Sequence, residues 1–323
     1  MRDYVPRSTR SRLLGTKGEM KRSLWAVSAF SVLLPWMAWC QIGNIVVTNA
    51  ASFRTGIPAA GSIGTIFCTG LVVTGIVSAS GVPLPFNLSG VTVTVGGSSA
   101  PLFALADLGG YQQINFQVPQ ETQVNVGTTG DTAEVTISQN GNQGKATASL
   151  APQLGDFFRV GTTQYGIFQH SADYSLVTTA NPARRGETLV AYATGLEPPT
   201  PSVPIGQPAP LSPLYYVPQN GVQPFIDLTG LLIIDSVGNR FAVFNLGGGT
   251  YDPNGSLPFM GLTPGAIGLY QINFVLPPGL SSGNATINLR HLACNPAASP
   301  FGDCQAPGAT VAIDSQAVLL PVQ

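Results

Sequence analysis

The stretch YQQINFQVP, at residues 111–119, decides the predicted fold, and a near copy, LYQINFVLP, stands at residues 269–277. In both copies the isoleucine and phenylalanine of QINF alternate with glutamine and asparagine. Alternation with a period of two is typical of a β-strand that buries one face and leaves the other towards solvent. The closing proline has no N–H group for a neighbouring strand, so it marks where each strand ends. The sequence therefore predicts two equivalent, half-buried strands.

A second pair of similar segments precedes the first. GSIGTIFCTGL begins at Gly61 and GETLVAYATGL at Gly186, an offset of 125 residues, whereas the QINF copies are 158 residues apart. Two landmarks in the same order predict two homologous units, with 33 more residues between the landmarks of the second unit. The proline-dense segment 197–224 accounts for most of them, and its composition predicts an extended surface segment.

The composition favours an all-β chain. Charged residues make up 9% of the sequence, against roughly 25% in ordinary soluble domains, and there are 38 glycines and 27 prolines. Short runs of alternating apolar and polar residues, bounded by glycine and proline, predict many strands and tight turns, for example a hairpin at Gly96-Gly97. We therefore predict two tandem immunoglobulin-like β-sandwiches, 41–152 and 153–323, the second including a connecting hairpin and the 197–224 insert.

The N-terminus predicts export. Seven of the 14 Lys and Arg residues lie within residues 1–40, followed there by the apolar run 24–39. This is the pattern of a Sec-type signal peptide, and the run is short for a membrane span, although a retained membrane anchor is the alternative. Without residues 1–40 the chain has seven basic and 13 acidic residues, a net charge of −6, which argues against a nucleic-acid partner. We expect a secreted or cell-surface protein that meets a membrane only through the signal peptide; its oligomeric state is not predicted.

The cysteines fit an oxidising compartment. Cys294 and Cys304 flank a short Pro- and Gly-containing loop, and we expect them to form a disulfide there. A metal site is the alternative, but no further pair of ligands stands nearby to complete it. Cys68 lies in an apolar strand pattern and is expected to be a small buried hydrophobe.

No motif in the sequence indicates a catalytic site, a cofactor or a metal. The nucleophile-elbow, zinc-protease and phosphate-loop patterns are all missing. His170 stands beside Ser171 and Asp173, but neighbours on one turn seldom form a catalytic triad, so a polar turn is the expectation.

Carboxylates of the second unit supply the alternative of a polysaccharide hydrolase. Such enzymes use two carboxyl groups on either side of the scissile bond, and Asp227, Asp235 and Asp252 are the candidates. Each borders a turn or strand end, where Asp commonly bonds its own backbone. The DPNGS stretch at 252–256 faintly resembles a calcium loop, but it lacks further acidic ligands and is a common β-turn sequence.

Tyr215 and Tyr216, in the proline-rich insert, are the best candidates for ligand binding. Exposed tyrosines beside prolines can stack on sugars or contact proteins. The alternative is that both rings cover the edge of the sandwich.

Several segments together resemble a known family. NAASF at 49–53, NPARRGETLVAYATGL at 181–196 and GLTPGAIGLYQINFVLP at 261–277 are similar to the uncharacterised C-terminal domain family of secreted acidobacterial proteins, which in turn resembles IPT/TIG-type immunoglobulin-like domains. The resemblance covers about residues 45–323. It implies an immunoglobulin-like fold and export, with no catalytic residues to carry over. Cys68, where the family usually has glycine, and the insert between the paired cysteines depart from the pattern.

These observations predict an exported, non-catalytic module for surface adhesion, carbohydrate or protein binding, or spacing. An extracellular glycan or a surface protein would be its partner. The alternatives are the secreted hydrolase and a lipid-anchored surface protein.

We expect the mature chain to begin at Gln41. Ala38 supplies the small residue three positions before that cleavage site, whereas lipidation of Cys40 would need a small residue where Trp39 stands. Mass spectrometry of the exported protein should identify Gln41 as the first residue. A lipid-modified Cys40 at the N-terminus would contradict this prediction.

Overall fold

The protein is all-β, as predicted. A computed structural model describes residues 41–323 except for 128–129, 152–153, 219–226, 245–255 and 295–309, and the described residues contain no helix. The predicted signal peptide, Asp252 and Cys304, one half of the predicted disulfide, lie outside the described residues. Within the described ranges there is no helix long and apolar enough to cross a membrane.

The first nine strands form two antiparallel sheets, which we call sandwich 1. The strands are β1 (Gly43–Asn49), β2 (Ile63–Thr69), β3 (Ile76–Ser78), β4 (Val91–Val95), β5 (Ser98–Ala100), β6 (Leu102–Asp107), β7 (Gln112–Gln117), β8 (Thr132–Gln139) and β9 (Asn142–Ser149). One sheet has the order β1-β2-β7-β6-β3 and the other β5-β4-β8-β9.

The remaining strands form two more antiparallel sheets, sandwich 2. They are β10 (Leu154–Phe157), β11 (Phe168–His170), β12 (Thr188–Leu196), β13 (Asp227–Ile234), β14 (Arg240–Phe244), β15 (Ser256–Leu262), β16 (Tyr270–Val275), β17 (Gly283–Cys294), β18 (Thr310–Asp314) and β19 (Val318–Val322). The order is β10-β12-β16-β15, with β11 also on β12, and β14-β13-β17-β18, with β19 also on β17.

Sandwich 2 follows the strand order of sandwich 1. The two QINF strands, β7 and β16, pair with β2 and β12, and β1 and β11 lie on the far side of these partners. The register also agrees, because Asn49 faces Gly64 and His170 faces Leu189. The predicted connecting hairpin therefore supplies edge strands, β10 and β11, to sandwich 2 itself.

Each sandwich encloses its own apolar core, and the QINF strands supply residues to both. Ile114 and Phe116 are fully buried in the first core and Ile272 and Phe274 in the second, which confirms the predicted inward face of the alternation. Burying each such side chain contributes about 1.5–3 kcal/mol. Gly64 is needed opposite Phe116, because a Cβ there would lie 2.6 Å from the ring.

Cys68 is a buried free thiol in the first core, as expected. Burial raises the pKa of the thiol to about 12, so it stays protonated. It therefore behaves as a small apolar side chain and not as a nucleophile.

A buried carboxylate joins the two sandwiches. Asp156 of β10 is 1% exposed. Its Oδ2 accepts a hydrogen bond from Ser52 Oγ at 2.7 Å and lies 3.3 Å from Arg54 Nη2, both from the turn after β1. Its Oδ1 accepts the N–H of Gln316 at 3.1 Å. Buried charges persist only when paired and hydrogen-bonded, so this cluster fixes one orientation of the two sandwiches.

The end of β12 makes further hydrogen bonds across the junction. Thr194 Oγ1 accepts the N–H of Ile63 at 2.8 Å, and its carbonyl accepts Asn49 Nδ2 at 3.1 Å. Gly195 donates its N–H to Ser62 Oγ at 3.0 Å. Its φ of 93° and a Cβ position only 2.5 Å from Asn49 Nδ2 both require glycine.

The described part of the proline-rich insert, 197–218, contains no strand and much of it is exposed, as its composition predicts, but it is also anchored to both sandwiches. Gly206 donates its N–H to Gln117 Oε1 at 2.7 Å and accepts the N–H of Leu84 at 2.9 Å, both in sandwich 1. Val203 and Val217 of the same insert are buried in the core of sandwich 2. The insert therefore contacts both sandwiches. The backbone of Gly206 bonds sandwich 1, and the two valines are buried in sandwich 2.

We expect Arg54→Ala to destabilise the protein by about 2 kcal/mol at neutral pH, because it leaves Asp156 buried without its cation. Burial raises the pKa of Asp156, partly offset by the Ser52 hydrogen bond and the charge of Arg54. When the pKa of a carboxyl is higher in the folded than in the unfolded protein, the folded protein gains stability as the pH falls from the folded pKa towards the ordinary value of about 4. In this range Asp156 becomes neutral and no longer needs the cation of Arg54. The penalty should therefore shrink on acidification, as measured by urea unfolding at several pH values.

The matched control is Lys145→Ala, which removes the exposed ion pair with Glu134. It should cost clearly less than Arg54→Ala, because an exposed ion pair is screened by solvent. Equal penalties for the two variants, or a penalty of Arg54→Ala that grows in acid, would contradict the assigned role of Asp156.

Candidate functional site: outward aromatic and amide faces

The polar half of the second QINF strand lies on the outward face of its sheet. Gln271 stands opposite Tyr192 of β12, and Asn273 stands opposite Phe259 of β15. Gln271 Nε2 donates to Asn273 Oδ1 at 2.9 Å, so the two amides hold one another in place. The alternation that buries Ile272 therefore also sets a fixed amide pair between two aromatic rings.

Tyr192 extends this face towards the turn after β11. Its Oη donates to Gln169 Oε1 at 3.0 Å, and Gln169 Nε2 donates to the carbonyl of Tyr174 at 2.8 Å. Burial, and after it the nearby Tyr174, raises the pKa of Tyr192, so its phenol stays protonated. Tyr174 is 63% exposed and has a φ of 57°, a left-handed conformation that is rare for a bulky residue. We call Tyr174, Tyr192, Gln271, Asn273 and the ring of Tyr216 face 2.

The two tyrosines predicted to bind ligand occupy different environments. Tyr216 is 46% exposed and its ring packs edge-on against Phe259, with 5.2 Å between ring centroids. Tyr215 is half-buried against the core of sandwich 2, and its carbonyl accepts the N–H of Leu262 at 3.0 Å. Tyr216 thus lies on the outward face, while Tyr215 covers the sandwich; ligand binding by either stays a prediction.

Sandwich 1 repeats the amide pair on its own outward face. Gln113 stands opposite Phe67 of β2, and Gln113 Nε2 donates to Asn115 Oδ1 at 2.8 Å. Thr65 Oγ1 donates to the same Asn115 oxygen at 2.9 Å. An aromatic ring beside a glutamine–asparagine pair is therefore present at the same place in both sandwiches.

Two exposed rings flank Phe67. Its centroid is 5.6 Å from that of Phe53 and 5.9 Å from that of Tyr111, in tilted and edge-on contacts. Phe53 and Tyr111 are 53% and 47% exposed. Phe53 has a φ of 56°, and its N–H donates to the carbonyl of Asn49 at 2.9 Å. Tyr174 makes the equivalent bond in sandwich 2, since its N–H donates to the carbonyl of His170 at 2.9 Å. We call Phe53, Phe67, Tyr111 and the Gln113–Asn115 pair face 1.

An open groove lies between the two sandwiches. Residues 50–53 line it from the turn of face 1, and Phe158, Arg159 and residues 161–163 line it from sandwich 2. Its volume is about 450 Å³, within the range of small-molecule sites. The backbone N–H of Phe158 donates to the carbonyl of Tyr192 at 3.0 Å, so Phe158 is a cross-strand neighbour of Tyr192 in face 2. Because Phe53 of face 1 also lines the groove, the groove adjoins both faces.

The histidine turn is structural. His170 Nδ1 lies 3.0 Å from Glu187 Oε2, and its Nε2 lies 3.4 Å from the carbonyl of Asn181. Asp173 accepts the N–H of Ser175 at 2.9 Å, and this hydrogen bond lowers the pKa of Asp173. His170 and Asp173 therefore bond different partners and both stabilise the turn that presents Tyr174.

Of the three carboxylates named for a hydrolase, Asp235 alone has its side chain within the described part of the chain. Burial alone would raise the pKa of Asp235, but hydrogen bonds from Ser281 and Asn239 outweigh it and hold the pKa well below its usual range. Asp235 is thus a turn residue. Asp252 and the side chain of Asp227 lie outside the described residues. Within the described ranges, no group of three His, Cys, Asp or Glu residues is arranged as metal ligands would be.

Sequence reasoning named Tyr215 and Tyr216 as candidates but missed the faces themselves. The outward Gln and Asn of QINF repeat as faithfully as the inward Ile and Phe. That repetition was a usable signal, because strand stability alone does not require particular polar residues on a solvated face.

We expect Gly261→Ala to detach Tyr216 from face 2. A Cβ at Gly261 would lie 2.0 Å from the Tyr215 carbonyl oxygen, so the insert would have to move off β15. Cleavage by chymotrypsin at Tyr216 should become about tenfold faster or more, because the segment opens more often. Gly81→Ala, at a glycine with open space around it, is the control. Equal cleavage rates would show that the insert does not depend on this contact.

Comparison with known proteins gives the following likenesses. No protein-family model and no curated protein matches the chain. The C-terminal domain of the Streptococcus pyogenes antigen I/II-family protein AspA is similar at 8% identity and a TM-score of 0.19, over 88% of this chain and 99% of that one. The C-terminal domain of the Streptococcus agalactiae AgI/II polypeptide BspA is similar at 7% identity and a TM-score of 0.17, over 86% and 99%. At these values the likeness carries no functional information.

Proposed function

We propose that this protein is an exported, non-catalytic binding module that recognises an extracellular glycan through its outward faces. The observation that carries the proposal is the repetition of one arrangement, an aromatic ring beside a hydrogen-bonded glutamine–asparagine pair, on equivalent strands of both sandwiches. The export itself rests on the predicted signal peptide, residues 1–40.

The chemistry of these faces suits a sugar. A sugar ring has apolar C–H faces and a polar rim of hydroxyl groups. Aromatic side chains such as Tyr216 offer a flat apolar surface on which the C–H faces can stack. Amides such as Gln271 can both donate hydrogen bonds to the hydroxyl groups and accept them. The side chains are already held by bonds to one another, so binding orders few new groups and loses little entropy.

We further propose that the two sandwiches, 41–152 and 153–323, are copies of one ancestral unit. The shared strand order, the matching registers and the paired landmarks support this, as does the resemblance to the secreted acidobacterial family.

A hydrolase is the weaker alternative. It needs two carboxyl groups flanking a cleft, one with a raised pKa to act as the acid. Asp235 has a lowered pKa and its oxygens accept hydrogen bonds from its own turn and from Ser281, whereas Asp156, with a raised pKa, is covered by the junction. Neither carboxyl is placed for acid–base work on a sugar.

We expect the purified protein to bind one or more glycans on an array and to leave them intact. Tyr174→Ala together with Tyr216→Ala should weaken that binding about tenfold or more, or about 1.4 kcal/mol, because stacking on face 2 is lost. Phe86→Ala is the control, since Phe86 is 45% exposed and belongs to neither face. No binding to any glycan, or equal loss in the control, would overturn the proposal.

A further inference from the structure

The two faces are linked by aromatic side chains that adjoin a common groove. Phe53 packs on Phe67 in face 1 and also lines the groove. Phe158 lines the groove from the other side and stands beside Tyr192 of face 2. The rings therefore form a series from Tyr111 through the groove to face 2.

Two aromatic residues of the faces, one in each sandwich, have an unusual backbone conformation. Phe53 and Tyr174 both have left-handed backbone angles, which are unfavourable for a bulky residue. Apolar burial does not explain this, since both side chains are more than half exposed. Strained, exposed aromatic residues at equivalent turns of the two sandwiches indicate a common binding role.

The charges along the series favour an uncharged occupant. Arg159 is the charged side chain among the described residues that line the groove. Asp107 lies at the hairpin next to Tyr111, and Asp173 precedes Tyr174. An anionic polymer would therefore be repelled near both ends, and a cationic polymer would be repelled in the middle.

The junction makes the spacing of the two faces constant. Asp156, Thr194 and Gly195 hold the sandwiches together through buried hydrogen bonds, and the insert contacts both. Two weak sites on one rigid body raise each other's effective concentration for a ligand long enough to reach both.

We propose that face 1, the groove and face 2 form one continuous site for a single uncharged polysaccharide chain. This rests on the proposed function, since it requires each face to bind sugar. Short oligosaccharides occupy the faces separately, two per protein, whereas a long chain crosses the groove and binds once.

Isothermal titration with short and long cello-, xylo- and manno-oligosaccharides tests this. In at least one series the long oligomer should bind about 10- to 100-fold more tightly than the short one, with the stoichiometry falling from two to one. Phe53→Ala should remove most of this gain while face 2 still binds the short oligomer. Phe86→Ala, an exposed ring outside the series, should keep the full gain.

The outcomes separate the two proposals. If no oligomer of these uncharged series binds, the continuous site is wrong; if the array shows no glycan binding either, the proposed function is wrong with it. If short and long oligomers bind with equal affinity, or if Phe53→Ala keeps the gain, the faces act independently and only the continuous site is wrong.

Discussion

The buried carboxylate of Asp156 is the contact on which the arrangement of the two sandwiches depends. It is removed from water and satisfied by Ser52, Arg54 and Gln316, so any other closed arrangement of the sandwiches would leave the buried charge without Ser52 and Arg54. Sliding them is opposed by the Thr194 and Gly195 bonds, which demand particular distances. Interfaces between domains of one chain are usually mobile, and this one is polar, buried and fixed.

A fixed junction changes what the outward faces can do. On separate, freely moving domains, two shallow aromatic surfaces would act independently. Here the turn that supplies Ser52 and Arg54 to the junction also presents Phe53 to the groove. One short segment therefore both locks the sandwiches and carries part of the candidate site, which links the stability of the pair to its recognition surface.

The sequence predicted the strands well because their information is local. Alternation within QINF placed Phe116 and Phe274 in the cores, and Cys68 was placed correctly as a small buried residue. The insert was predicted only in part, because its proline content indicates an exposed chain, yet Val203 and Val217 within it are buried. Proline restricts the backbone without deciding whether the residues between prolines meet a core.

By itself the sequence determined that the chain forms half-buried strands and which residues of each strand point inward, since a period of two needs only neighbouring residues. The tertiary structure alone decided which outward residues share a surface. Ser52 and Asp156 meet across 104 residues of chain, and face 2 combines side chains from strands, a turn and the insert. Strand periodicity predicts the face of the strand on which a side chain lies, but not which side chains of other segments lie next to it. Those neighbours depend on strand order and loop paths, which are fixed by packing of the whole chain.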